Sequence, residues 1–244
     1  MTLAIVGGYD DREPIGFSLC QFSAIRRTSE PLRFVPLLER ALRFRGLYNR
    51  PHELRDGQLW CPISQAPMST AFANSRFLTP WLADGSEWVL FADFADQLFQ
   101  ADPAELFALA DPAYAVMVVK GRHIPDEGQK MDGQNQTIYR RKNWSSVTLW
   151  HTRHPGNDRL TLEMVNSLPG RDLHAFCWLE DEEIGELPAA WNHLVGVDSR
   201  KHPKLLHFTR GTPETGVYDE PWASVWLREL SIMDATRGAI RAAA

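Results

Sequence analysis

The stretch Trp88–Phe107, WVLFADFADQLFQADPAELF, decides how the rest of the chain is read. Its opening run, Trp88-Val89-Leu90-Phe91-Ala92, is apolar, too short for a helix and bounded by acids. That is the pattern of a strand buried on both faces. The run stops at Asp93, and Asp96 follows three residues later. Asp102-Pro103 with Glu105 then supplies an N-cap, a proline at the first helical position and an early acid. The stretch therefore predicts strand, acidic loop and helix, with two carboxylates displayed past the strand's C-terminal end. In open α/β sheets ligands bind there.

Working outward, Leu3–Val6 is a short apolar run ending in Gly7-Gly8-Tyr9-Asp10-Asp11, which predicts a first strand and a turn where glycine lets the backbone approach a ligand. The turn matches neither GxGxxG nor a P-loop. Glu13-Pro14 opens a predicted helix through Ile25, with Ile15, Leu19, Phe22 and Ala24 or Ile25 on its inner face. A second strand at Leu32–Pro36 makes this the start of a parallel βαβ unit. Residues 37–67 read as irregular, and Ser69–Leu82 as a helix with Pro80 near its end. Further strands are predicted at Tyr114–Val119, Trp144–Trp150, Trp191–Val195 and Lys204–Phe208, and helices at Leu160–Leu168 and Ala223–Ile232. Residues 123–139 read as a long polar loop over the pocket. No repeat or low-complexity tract divides the 244 residues, so one domain is expected.

Composition narrows the class. Hydrophobic residues make up 44% and charged residues 23%, ordinary for a globular protein. A formal charge of −5 argues against nucleic acid as partner, and the Arg-rich Arg40–Arg50 reads as a solvated helix face. Cys20, Cys61 and Cys177 have no CxxC spacing, which suits a reducing, cytoplasmic setting and gives no zinc site. The N-terminus lacks a basic signal-peptide region, and no run approaches the ~18 apolar residues of a membrane span.

Three groups carry candidate chemistry. Asp93 with Asp96 suits a hard cation such as Mg²⁺ or Mn²⁺; the alternative is a capped turn whose acids face water. His207, in LLHFTRG, could complete an octahedral site or contact a phosphate, although a lone histidine is more often structural. Arg210 beside it could neutralise a pyrophosphate. In Glu180-Asp181-Glu182-Glu183, one carboxylate could orient an acceptor hydroxyl or offset positive charge on a sugar, while a charge run is usually a solvated face.

Taken in order, IVGGYDDREPIGF (5–17), SRFLTPWL (75–82), LFADFADQLFQADPAELF (90–107), KNWSSVTLW (142–150), EIGELPAAWNHLVG (183–196) and LLHFTRGTP (205–213) resemble the glycogenin-like family 8 of GT-A glycosyltransferases, especially small bacterial and phage members. The resemblance implies an α/β, Rossmann-like GT-A domain with a mostly parallel central sheet. It also implies transfer of a sugar from a nucleotide-diphosphate sugar, a UDP-sugar first, to a glycan, lipid or protein acceptor, with retention. Gly8, Tyr9 and Asp10 would then hold the base and ribose, Arg76 would lie near the phosphates, and Asn143 and Ser145 would touch the donor sugar. A DxD motif would bind ribose and Mn²⁺ or Mg²⁺, and His207 would complete the metal site. Asp181 or Glu182 would stabilise the oxocarbenium-like centre.

The chain departs from that family at its opening feature, since Asp93-Phe94-Ala95-Asp96 replaces Asp-x-Asp. Either Phe94 stands at the first acid position, leaving Asp96 and His207 as ligands, or the loop carries one extra residue and both acids converge. The first case favours a nucleotide- or glycan-binding relative that has lost transfer. A nucleotidyltransferase is a third reading, opposed by the missing Gly-rich basic loop after the first strand.

Overall fold

The computed structural model describes residues 2–121, 141 and 144–243. The sheet is built around two strands that were legible as apolar runs. β1 (Leu3–Gly8) runs into α1 (Pro14–Arg27) and returns as β2 (Leu32–Leu37), pairing in parallel with β1 in register Leu3↔Leu32. After α2 (Glu39–Phe44), β3 (Glu53–Arg55), β4 (Gln58–Cys61) and β5 (Ala66–Pro67) form a small antiparallel sheet. The chain then makes a 3₁₀ helix at Ser75–Leu82 and enters β6 (Trp88–Ala92), parallel to β1.

β7 (Gln97–Phe99), α3 (Pro103–Phe107) and β8 (Val116–Val118) follow. β9 (Val147–His151) inserts between β6 and β8, antiparallel to both. Beyond it lie α4 (Leu162–Ser167), α5 (Gly170–His174), β10 (Ile184–Glu186), β11 (His193–Leu194), β12 (Leu205–His207) and α6 (Trp222–Ala243). The main sheet has the order β10-β8-β9-β6-β1-β2, and β11-β12-β7 form a second sheet of three strands.

Both faces of the main sheet are covered. Ala4 and Val6 of β1, with Val89 and Phe91 of β6, belong to one core cluster, and Ile5, Leu90 and Ala92 belong to the other. This two-sided burial is why these strands read as continuous apolar runs instead of alternating ones. The α/β class and the mostly parallel sheet agree with the expectation.

Several local readings need correction. The buried face of α1 is Gly16, Leu19, Cys20, Ser23 and Ala24, while Ile15 and Ile25 are 43% and 52% exposed. Gly16 faces inward because the helix sits very close to the acidic loop there: a Cβ on Gly16 would lie 2.0 Å from the Ala95 carbonyl oxygen. Residues 69–82 are not one α-helix; bends and turns over 69–74 lead into a 3₁₀ helix from Ser75, with Pro80 inside it. Proline has no N–H to give an i→i−4 bond. Residues 37–67 contain α2 and the three-stranded sheet β3-β4-β5, and the strand read from Trp144 begins at Val147 after a 3₁₀ turn. The long-loop reading of residues 123–139 lies outside the described residues.

Candidate metal centre

The site lies past the C-terminal end of β6. The two residues between the acids, Phe94 and Ala95, are fully buried. Phe94 turns inward against Phe17, Phe34 and Phe99, and a Cβ on Gly7 would come within 2.7 Å of its ring. An i→i+3 turn, with Asp96 N donating to Asp93 O at 3.2 Å, then returns both carboxylates to the same side. The four-residue loop therefore does not put Phe94 in place of an acid: the extra residue is absorbed by core packing, and Asp93 and Asp96 converge.

His207 arrives by strand register. β7 follows Asp96 directly and pairs antiparallel with β12, placing His207 opposite Gln97, while Phe208 N donates to Asp96 O at 2.8 Å. Ligand atoms of Asp93, Asp96 and His207 all lie within 4.8 Å of one another. His207 Nδ1–H donates to Asn192 Oδ1 at 2.8 Å, and Asn192 Nδ2 donates to Ser146 Oγ at 3.0 Å. With Nδ1 committed in this way, Nε2 is the nitrogen that faces Asp96 Oδ2, 3.4 Å away. A partner of this kind fixes the ring of a metal-ligating histidine.

Three features make the group fit a divalent cation. Asp96 Oδ1 is buried with no hydrogen-bond partner among the described residues, a state that costs free energy unless a ligand fills it. The donors are carboxylate oxygens and one imidazole, a set that suits Mn²⁺ and, less closely, Mg²⁺. The electrostatics are strained in the direction a cation would relieve. Burial pushes the Asp93 carboxyl up, with Asp96 adding to it and Arg76 opposing. For His207 burial acts downward, yet the carboxylate of Asp96 prevails and the net shift is upward. Glu13, at the N-cap of α1, is pushed up to about 8 by burial and by the nearby charges of Asp96 and Asp10.

Arg76 stands on the other side of Asp93. Its Nη1 lies 2.9 Å from Asp93 Oδ1 and donates to Ser145 O at 3.0 Å, and its Nε donates to Ala73 O at 3.1 Å. The guanidinium lies over the rings of Phe72 and Phe91, with its carbon 5.2 and 5.0 Å from their centroids. Ser145 Oγ is 2.6 Å from His174 Nδ1. Burial, then Arg76 and Arg50, pushes His174 down to about 3, so its ring is neutral and its Nδ1 accepts a hydrogen bond from the Ser145 hydroxyl.

The other expected residues that the structure describes lie outside the Asp93, Asp96 and His207 group. At Gly8 the close approach comes from Phe72, whose ring would lie 2.4 Å from an added Cβ; the glycine answers to core packing. Tyr9 is half-buried, edge-on to Phe17. Both oxygens of Asp10 are already engaged, by the backbone N–H, Nε and Nη2 of Arg12 and by Ala71 N, so Asp10 pins the turn after β1 to the chain before Ser75. Arg210 is exposed and lies over the Gly196 turn near Asp219. Asp181 takes the buried guanidinium of Arg141, which also donates to the Ala175 and Phe176 carbonyls, and Glu182 is exposed on the same 3₁₀ turn. Neither belongs to the group gathered at Asp93. Asn143 lies outside the described residues. Sequence reasoning missed Glu13, Asn192 and His174: an N-cap acid and an Asn before a two-residue strand carry no signal until β12 and α1 are docked.

The architecture is the GT-A fold of glycosyltransferases. Similar solved structures include the galactosyltransferase LgtC in complex with donor and acceptor sugar analogs (TM-score 0.56, 12% identity, 94% of this chain and 95% of that one). The apo form of the glycosyltransferase GlyE of Streptococcus pneumoniae TIGR4 superposes with a TM-score of 0.60 at 13% identity over 94% of this chain, and the bifunctional glycosyltransferase WbbM with 0.56 at 15% over 93%. This chain spans 60% of GlyE and 51% of WbbM. At such identities the likeness establishes the fold alone. No family model matches the sequence. Protein CDI of Arabidopsis thaliana is 43% identical over 230 residues, covering 91% of this chain and 84% of the plant protein, and the chain belongs to its family. That relative is a plant protein, where the resemblance had pointed to bacterial and phage members. Among the described residues no helix is long and apolar enough to cross a membrane.

Proposed function

We propose that this chain is a cytoplasmic, single-domain, metal-dependent glycosyltransferase. It moves a sugar from a nucleotide-diphosphate sugar, a UDP-sugar first, to a glycan, lipid or protein acceptor, with retention of configuration. The observation that carries the reading is the convergence of Asp93, Asp96 and His207 at the C-terminal end of β6 on a GT-A sheet. These three residues would hold Mn²⁺ or Mg²⁺, and Asn192 would keep the His207 ring in its liganding orientation. The bound cation supplies Lewis-acid stabilisation of the departing nucleoside diphosphate. Among the described residues, Arg76, close to Asp93 and to the Ser145 carbonyl, is the cation that would meet phosphate charge. The Ser145–His174 pair fixes the wall beside it, and its neutral imidazole adds no competing positive charge.

The experiment is a thermal-shift panel of nucleotide sugars with Mn²⁺, Mg²⁺ or EDTA, followed by donor hydrolysis and transfer assays with the donor that shifts most. Binding to the native state raises the melting temperature by mass action. A cation-dependent shift and cation-dependent turnover are expected. Turnover that persists in EDTA would sink the mechanism, and tight nucleotide binding without turnover would leave a binding protein on the same fold.

A further inference from the structure

Arg76 and Asp93 are an incompletely satisfied buried pair. The Arg76 side chain is only 6% exposed and its Nη1 is 2.9 Å from Asp93 Oδ1, yet that oxygen receives no aligned hydrogen bond from any described residue; the same nitrogen reaches Oδ2 only at 3.3 Å. An arginine that binds a carboxylate for good presents two nitrogens in a parallel fork. Here one nitrogen serves both oxygens and also the Ser145 carbonyl, and Nη2 has no hydrogen-bond partner among the described residues. Besides Asp93, only single bonds to the Ala73 and Ser145 carbonyls hold the guanidinium, from Nε at 3.1 Å and from Nη1 at 3.0 Å.

We infer that Arg76 is an internal counter-cation, one that neutralises Asp93 while the site is without donor and is drawn onto the diphosphate when donor enters. The inference rests on the glycosyltransferase reading and concerns how that site is filled. Without donor, a divalent cation approaching Asp93 meets a guanidinium 2.9 Å from the oxygen it needs. Two positive centres on one carboxylate oppose each other strongly where water is excluded. A diphosphate offers Arg76 better acceptors, and its Nη2 has no bond to a described residue to give up in taking them. Cation and donor then strengthen each other's binding, and linkage makes that coupling reciprocal.

Calorimetric titration of the full chain tests this with MnCl₂ and UDP as probes. Wild type is expected to bind Mn²⁺ weakly alone and at least tenfold more tightly with saturating UDP. Arg76→Gln, which removes the competing charge, should bind Mn²⁺ alone at least tenfold more tightly than wild type, with a smaller gain from UDP. A second arm stands if that variant fails to fold. In Asp93→Asn, measured with UDP in EDTA, the released guanidinium should bind UDP severalfold more tightly than wild type does without metal. Unchanged or weaker Mn²⁺ affinity in Arg76→Gln, or unchanged metal-free UDP affinity in Asp93→Asn, would overturn the inference alone. Absence of Mn²⁺ binding in wild type with UDP and in Arg76→Gln would overturn the reading of the site as well.

Discussion

Two buried carboxylates in this molecule meet arginine in opposite ways. Glu229 of α6 is 3% exposed and takes four hydrogen bonds, two from Arg26 and two from Arg27, both at the end of α1. Burial alone would raise its pKa, but the two guanidinium groups bring it down to about 2. Asp93 has one imperfectly aligned arginine and a second acid beside it, and its pKa moves up. Glu229 is saturated, and it fastens α6 to α1. Asp93 and Asp96 keep acceptors in hand, and a cluster left in that state is stable only because the fold around it is. Unfilled coordination, more than charge or burial, separates the candidate site from a structural ion pair.

Removing a ligand should break the comparison hardest. Asp96→Asn is expected to lower cation-dependent kcat/KM by more than ~100-fold, since even residues that only orient ligands typically account for ~10–100-fold. Its melting temperature should hold or rise in EDTA, because one of two crowded acids is gone. A variant with wild-type turnover would remove Asp96 from the site. At the saturated pair the effect falls on stability. Glu229→Gln should cost roughly 2–3 kcal/mol in denaturant unfolding, the scale of a shift of that size, and leave donor affinity untouched.

The same pair sets a pH signature. Because the folded pKa of Glu229 is depressed, its stabilisation is present above the unfolded value near 4.3 and is lost as pH falls towards about 2. Glu229→Gln should therefore show a shallower loss of stability between pH 5 and pH 2 than wild type. An equal slope would mean that other acids govern this range. Returning to the site, Asn192→Ala should weaken Mn²⁺ binding by ~10–100-fold while donor affinity without metal is unchanged. Equal Mn²⁺ affinity would show that the His207 ring needs no second partner. The smallest effect is expected at Glu182, exposed on its turn: Glu182→Gln should stay within about 0.5 kcal/mol in stability and about twofold in transfer. A hundredfold loss of transfer would return the acidic turn to the reacting centre.

Much of the scaffold was legible because its signals are local. Apolar runs at Leu3–Val6 and Trp88–Ala92 become β1 and β6, and Asp102 caps α3 through its bond to Ala104 N, as the Asp-Pro-x-Glu pattern required. Readings that depend on which neighbour a face meets went astray. Helical periodicity put Ile15, Leu19, Phe22 and Ala24 or Ile25 on the inner face of α1; Leu19 and Ala24 are buried there, Ile15 and Ile25 are exposed, and Gly16 takes the closest approach, to the Ala95 carbonyl. Gly8 looked like a ligand turn and is a seat for Phe72. Asp10, which the resemblance set at the base and ribose, accepts hydrogen bonds from Arg12 and from Ala71 N.

The stretch Trp88–Phe107 by itself determined a buried strand, an acidic turn at its end and a capped helix, because hydrophobic run length and cap chemistry act within a few residues. Whether Asp93-Phe94-Ala95-Asp96 could present two acids together was open in the sequence, since both alignments of that loop were possible. Only the tertiary structure decided it. Phe94 is drawn into the core between Gly7, Phe17 and Phe34, the turn closes from Asp96 N to Asp93 O, and the β7–β12 register carries His207 to Asp96. Packing and strand pairing act between residues far apart in the chain, and spacing within one motif contains no trace of them.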